Sequence, residues 1–100
     1  MIVEYIRYEL EDGAALVQAY EAARHSLDTS PQCLGYELSR CTEEPTSLIL
    51  RIEWDSAEGH LDGFRKSAEF GPFLQAIRPF IGNIREMRHY AVTSVASRKS

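Results

Sequence analysis

The sequence predicts an α+β fold in which one four-stranded antiparallel sheet carries two helices on one of its faces, in the order β-α-β-β-α-β. Three observations predict it. Four stretches alternate apolar and other residues and are rich in β-branched and aromatic side chains. Two stretches between them repeat apolar residues at spacings of three and four, the period of a helix with one buried stripe. Turn-forming clusters built on Pro, Gly, Asp and Ser separate these stretches.

Ile2 to Leu10 is the first strand, with Ile2, Ile6, Tyr8 and Leu10 on one parity and Val3 and Tyr5 on the other. Asp12-Gly13 opens a helix running from about Gly13 to Leu27 on the stripe Leu16, Ala19, Tyr20, Ala23 and Leu27. It closes near Ser30-Pro31, because proline cannot continue a helix and disfavours helical geometry in the residue before it. Cys33 to Cys41 alternates again, with Leu34, Tyr36 and Leu38 on one side and Cys33, Glu37 and Ser39 on the other. The polar cluster from Thr42 to Thr46 turns the chain into a third strand, Ser47 to Trp54. Asp55 or Ser56 then caps a second helix, with Glu58 as capping-box partner and Leu61 and Phe64 facing inward. That helix falters near Ser67, and Gly71-Pro72 predicts a break before a shorter helix with Phe70, Phe73, Leu74 and Ile77, ending before Pro79. Ile84 to Val95 is the last strand, and residues 96–100 read as a disordered polar tail behind a single domain spanning 1–95. The order is the split βαβ of ferredoxin-like folds.

Composition narrows the function. Fifteen acidic against eleven basic side chains give a net charge of −4 without a basic stripe, which speaks against nucleic acid as a partner. No apolar run approaches the roughly 20 residues of a membrane helix, and the first residues lack the layout of a signal peptide, so no membrane partner and a cytoplasmic location are expected. Cys33 and Cys41 would lie roughly 26 Å apart along one strand, too far for a disulfide, and their spacing fits no metal site. Glycine-rich phosphate loops, HExxH and GxSxG are absent from the sequence, so nucleotide, zinc and serine-triad chemistry have no support.

The even positions Leu48, Leu50, Ile52 and Trp54 form a continuous apolar row that should face the helices. The odd positions Val3, Tyr5, Arg7, Ile49, Arg51 and Glu53 then form a mixed, semi-apolar outer face. Covering it calls for a second copy of the chain, sheet against sheet, with Arg7, Glu9, Arg51 and Glu53 as an interior ion-pair set and His89, Met87 and Ala91 facing the same barrel.

The strand ending in Leu48-Ile-Leu-Arg-Ile-Glu-Trp54, the segment Asp55-Ser-Ala-Glu-Gly-His60-Leu and the stretch Phe64-Arg-Lys-Ser-Ala-Glu-Phe70 resemble the antibiotic biosynthesis monooxygenase family of dimeric α+β barrels. The resemblance implies a ferredoxin-like dimeric barrel. It also implies oxygenation of an electron-rich phenol without flavin or metal, as in the quinol and anthrone monooxygenases of that family. Trp54 matches the family's cleft tryptophan, and His60 stands where some anthrone oxygenases carry a tyrosine. Three positions depart from the pattern. The strand-one asparagine of the haem-degrading branch falls at or next to Ile6, the haem-ligating histidine is replaced by Phe64, and the asparagine four residues before the tryptophan is replaced by Leu50.

Cofactor-free oxygenation needs a base for the phenol, an apolar pocket and a donor for the developing peroxide. His60 is the candidate base and Trp54 the pocket wall offering an indole N–H, with no cofactor and no metal. Tyr8, Tyr36, Leu50, Phe64 and Phe73 are the candidate substrate-binding residues, and Phe70 and Phe80 add aromatic surface. Each has a structural alternative: His60 as a solvent-facing residue of the first helical turn, Trp54 and the phenylalanines as plain core, and His25 as a cation near the end of the first helix. The expected substrate is a small aromatic or quinol-like molecule. The rivals are a non-catalytic ligand-binding or interaction dimer of the same fold and a haem binder using His60, His25 or His89.

Overall fold

The alternating stretches pair into one sheet. β1 (Ile2–Glu9), β2 (Cys33–Arg40), β3 (Ser47–Trp54) and β4 (Ile84–Ala91) lie in the order β2-β3-β1-β4, each neighbouring pair antiparallel. The structure, a computed structural model, describes residues 1–58 and 63–99. α1 (Gly13–Thr29) joins β1 to β2, and α2 (Phe70–Ile77), followed by a 3-10 helix over Arg78–Asn83, precedes β4. This is the ferredoxin-like order and topology that the sequence predicts.

Asp12 starts α1, its carboxylate accepting from the Ala15 N–H at 3.2 Å and so satisfying one of the helix's free first-turn donors. Leu16, Tyr20, Ala23 and Leu27 form its buried stripe. α1 runs two residues past the expected end, to Thr29, whose hydroxyl donates to the His25 carbonyl at 2.8 Å. It stops at Ser30 (ψ 121°), the extended geometry that Pro31 imposes on its predecessor.

The parity of β3 is as expected: Leu48, Leu50, Ile52 and Trp54 are each at most 1 % exposed beneath the helices. Each such burial contributes about 1.5–3 kcal/mol for an aliphatic side chain. The register Ile6↔Leu50 and Glu4↔Ile52 puts the even residues of β1 on the same face, and Tyr8 with them. The Tyr8 and Tyr20 hydroxyls meet at 2.5 Å across the sheet-helix interface, and burial pushes both phenols above their ordinary pKa. Tyr8→Phe should lower stability by about 1–3 kcal/mol, since it leaves the Tyr20 hydroxyl buried without its partner. In urea titrations the double variant Tyr8→Phe/Tyr20→Phe should lose less than the two single losses summed.

Four expectations are corrected. β2 carries a register shift between Cys33 and Gly35, which makes Leu34 the extra residue of a bulge. Leu34 is therefore 58 % exposed, and Cys33, opposite Trp54, packs against the core instead of facing away. β4 ends at Ala91 rather than Val95, because β1 begins at Ile2 and the last rung, Val92 N–H to the Met1 carbonyl, uses up the pairing. Gly71-Pro72 does not break a helix but lies in the first turn of α2, where the missing proline N–H has no intrahelical acceptor to lose. Finally, His89 pairs with Glu4 and Met87 with Ile6 in register, so both lie on the helix side of the sheet, not on the outer face.

The outer face carries Tyr5, Arg7, Ile49, Arg51 and Glu53, with Arg51 paired to Glu53 at 2.9 Å and to Glu37 at 3.6 Å, and Arg7 to Glu9 at 3.3 Å. Val92, Thr93 and Val95 border the same hollow as Tyr5 and Ile49, and Val3 beneath them is buried. Ala96, Ser97 and Arg98 lie beside Met1, Arg51 and Glu53. Cys33 and Cys41 are free, half-buried thiols.

Candidate functional site

α1 packs over the β2-β3 half of the sheet, leaving an open, more polar hollow of about 240 Å³ lined by Val17, Tyr20, Arg24, Tyr36 and Leu50, and the short α2 and the 3-10 helix span the β1-β4 half. Between them lies a cavity of about 260 Å³. Ile6, Tyr8, Ile52 and Trp54 form its floor, Phe64, Phe70, Phe73 and Ile77 its roof, and Ile84 and Met87 its β4 side. Phe64 is the hub of the roof, its ring 5.1 Å from that of Trp54, 5.3 Å from Phe73 and 5.7 Å from Phe70, mostly edge to face. Such aromatic pairs add about 0.5–1.5 kcal/mol each beyond simple burial and give the wall a defined shape.

One carboxylate sits in this apolar wall. Glu4 occupies an even position of β1, between Ile2 and Ile6, so the pleat that buries its neighbours buries it too. It is only 3 % exposed. Trp54 Nε1–H donates to its Oε1 at 3.1 Å, and His89 Nε2 stands 3.5 Å from its Oε2. Arg65 lines the same cavity. Burial drives the Glu4 carboxyl above its ordinary pKa, partly opposed by the Trp54 hydrogen bond and by the charges of His89 and Arg65. A raised carboxyl pKa means that the folded chain holds the proton more tightly than the unfolded chain. Glu4 therefore lowers stability progressively as pH rises from its ordinary value of 4.5 through the folded-state value. Denaturation of Glu4→Gln beside the native chain at a series of pH values should show the variant gaining on the native protein across that window and matching it most closely at acid pH.

The structure brings together Trp54, Tyr8, Phe64 and Phe73 around this cavity, together with Phe70. It does not bring Tyr36 or Leu50 there. Tyr36 is on the helix side of β2, but its hydroxyl donates to Asp28 and accepts from Arg24 Nε at 3.2 Å, tying β2 to the outer edge of α1. Leu50 is fully buried beneath α1 and takes no part in the cavity wall. His60 and Leu61 lie outside the described residues. His25 is exposed on α1, away from the cavity lining. Glu4 and His89 are the pair that sequence reading missed as a site. The signal was present in the parity of β1, where an acidic residue interrupts an otherwise apolar, helix-facing row.

Among the described residues, no group of His, Cys, Asp and Glu is arranged to hold a metal ion, and no helix is long and apolar enough to cross a membrane. What the site can do follows from its parts: it can hold a flat apolar molecule among aromatic rings and set a carboxylate against it.

Comparison with known proteins agrees with this architecture. YczJ, an uncharacterized protein of Bacillus subtilis, is 27 % identical over 89 residues, covering 89 % of this chain and 87 % of its own. The crystal structure of SnoaB from Streptomyces nogalater, described as a cofactor-independent oxygenase, superposes with a TM-score of 0.71 at 13 % identity, over 96 % of this chain and 94 % of that one. The structure of Rv0793 from Mycobacterium tuberculosis gives a TM-score of 0.73 at 18 % identity, over 96 % and 98 %. At these identities the two structures attest the fold alone. Residues 1–76, three-quarters of the 100-residue sequence, match the antibiotic biosynthesis monooxygenase family, and the chain belongs to it.

Proposed function

We propose that the protein is a cofactor-independent monooxygenase of a small, electron-rich hydroxyaromatic or quinol-like substrate, working as a homodimer. The observation that carries this reading is the aromatic-lined cavity with a buried carboxylate in its wall, held by the indole of Trp54. Deprotonation of a phenol in such a site gives an electron-rich anion that can reduce oxygen directly. One oxygen atom enters the substrate, as when a ring methylene becomes a carbonyl, and the other leaves as water, so the substrate itself supplies the electrons. Membership of the family and the likeness to a cofactor-independent oxygenase support this chemistry.

In this reading Trp54, Phe64 and Phe73 clamp the ring, and Tyr8 forms part of the floor beneath it. His60 is retained as a proton-handling candidate on sequence grounds. The outer sheet face, with Ile49, Tyr90 and Val92 each about two-fifths exposed, is the surface for the second copy. Gel filtration should give twice the 11.4 kDa chain mass, and a stable monomer would remove the dimer. Oxygen uptake by metal-free protein on a panel of hydroquinones and anthrones tests the activity. Uptake above the uncatalysed rate, abolished by blocking the cavity with Ile6→Trp, is expected, and uptake no faster than background sinks the enzyme. Binding without uptake would favour the second reading, a ligand-binding dimer, for which the apolar Leu50 and Phe64 at positions polar in oxygenating or haem-degrading relatives speak.

A further inference from the structure

Glu4 lies buried in the cavity wall, so a proton taken up there needs a path out to solvent. Glu4 and His89 together form a route. Glu4 lines the cavity and is buried, whereas the side chain of His89, on the edge strand β4, is 39 % exposed. The two meet at 3.5 Å, Nε2 to Oε2. That is long for a hydrogen bond, but proton-transfer contacts commonly tighten only once substrate is bound. The other oxygen, Oε1, is fixed by the Trp54 indole N–H, which leaves the carboxylate little freedom to swing away. The series of cavity, Glu4, His89 and solvent thus runs across the sheet through two directly opposed residues of β1 and β4.

We propose that Glu4 is a catalytic base that takes the hydroxyl proton of the substrate, and that His89 relays it to water. The inference rests on the reading of the cavity as a hydroxyarene site. In the first step the substrate O–H bond breaks, its electron pair stays on oxygen as phenolate, and a Glu4 carboxyl O–H forms. In the second step that proton passes to Nε2 of neutral His89, restoring the carboxylate, and the imidazolium loses a proton to solvent. No oxidant or reductant is needed. Among the described residues, the charged and titratable groups facing Glu4 are His89 from β4, Arg65 from the cavity lining, and Tyr8 on its own strand with Tyr20 behind it on α1. Arg65 supplies positive charge where the phenolate forms. The site therefore selects a substrate that enters as a neutral hydroxyarene. An aromatic carboxylate would bring a second negative charge against Glu4 and should be rejected.

The test is made without oxygen, so that it does not depend on turnover. Naphthohydroquinone is mixed anaerobically with the full-length protein in weak buffer. Three signals are followed: the fluorescence of Trp54, the chain's one tryptophan, for binding; the phenolate absorption band; and a pH indicator for released protons. The native protein should bind, develop the phenolate band and release close to one proton per site. Glu4→Gln should still quench the tryptophan while losing the phenolate band at least tenfold. His89→Gln should develop the band with proton release slowed about tenfold or more, and added imidazole should restore the rate. A naphthoic acid of the same ring size should bind at least tenfold more weakly to the native protein than to Glu4→Gln. Binding by the native chain without phenolate, or an undiminished band in Glu4→Gln, overturns the relay, as does failure to bind. Phenolate formation and proton release with no oxygen uptake in the separate panel would leave the relay standing and remove the oxygenase.

Discussion

Trp54→Ala should cost about 3–5 kcal/mol of folding free energy, the range for deleting a fully buried aromatic side chain, and urea denaturation should place it near the limit of independent folding. Two losses coincide at this position. The indole is entirely buried, with Phe64 tilted across it at a ring distance of 5.1 Å, so removing it opens a hole in the floor of the cavity. Its N–H also holds the buried Glu4 carboxylate, and a buried anion stripped of a donor is among the costlier defects a fold can carry. A domain of this length has roughly 5–15 kcal/mol in total, so the variant gives up between about a fifth and all of its stability. Adding Glu4→Gln to Trp54→Ala should return part of the loss, because the buried charge that lost one donor is gone. A double variant no more stable than the single one would show that cavity formation alone accounts for the damage.

Phe73→Ala should be nearly as harmful, again about 3–5 kcal/mol, for a different reason. Phe73 is the contact through which α2 holds on to the rest of the fold: its ring lies 6.1 Å from Tyr20 of α1, 5.3 Å from Phe64 and 6.4 Å from Phe70. α2 has no side-chain cap and only eight residues, so packing rather than intrinsic helicity keeps it in place. The variant should therefore melt roughly 12–40 °C lower, on the usual scale of about 4–8 °C per kcal/mol for a domain of this size. Phe73→Leu, which keeps most of the volume, should recover most of that loss in the same thermal scan. If Phe73→Ala melted within a few degrees of the native protein, the roof of the cavity would have to be supported by other contacts.

The legible part of this fold was the part governed by local pattern. The row Leu48, Leu50, Ile52 and Trp54 announced both a strand and its buried face, the stripe through Leu16, Tyr20, Ala23 and Leu27 announced α1, and Pro31 announced its end. What escaped were features decided by partners distant in sequence. Leu34 reads as a core residue by simple alternation, and only the pairing of β2 with β3 reveals the bulge that turns it outward. His89 has no parity of its own until β4 is set in register against β1, since the β4 sequence is half polar without regular alternation and is exposed on both faces. Glu4 was readable in principle. Its position put it on the helix face, but a charged residue among isoleucines is usually discounted as an edge of the pattern, and here it is the polar centre of the site. Tyr36 and Leu50 share the helix side of the sheet with the cavity residues yet miss the cavity, because which half of the sheet the short α2 covers is a matter of packing that alternation does not encode.

The sheet order has a bearing on how the molecule comes into being. β1 is central, flanked by β3 on one side and β4 on the other, so the earliest-made strand is completed on one edge only by the strand made last. Pairings this distant in sequence must wait for loop closure, which makes folding slower than in helical bundles of the same size. During synthesis β1 must persist with an open edge and an unwalled cavity until Met87 and His89 arrive. The charges of Glu4 and Arg7 along that waiting edge then act as safeguards against pairing with the wrong chain.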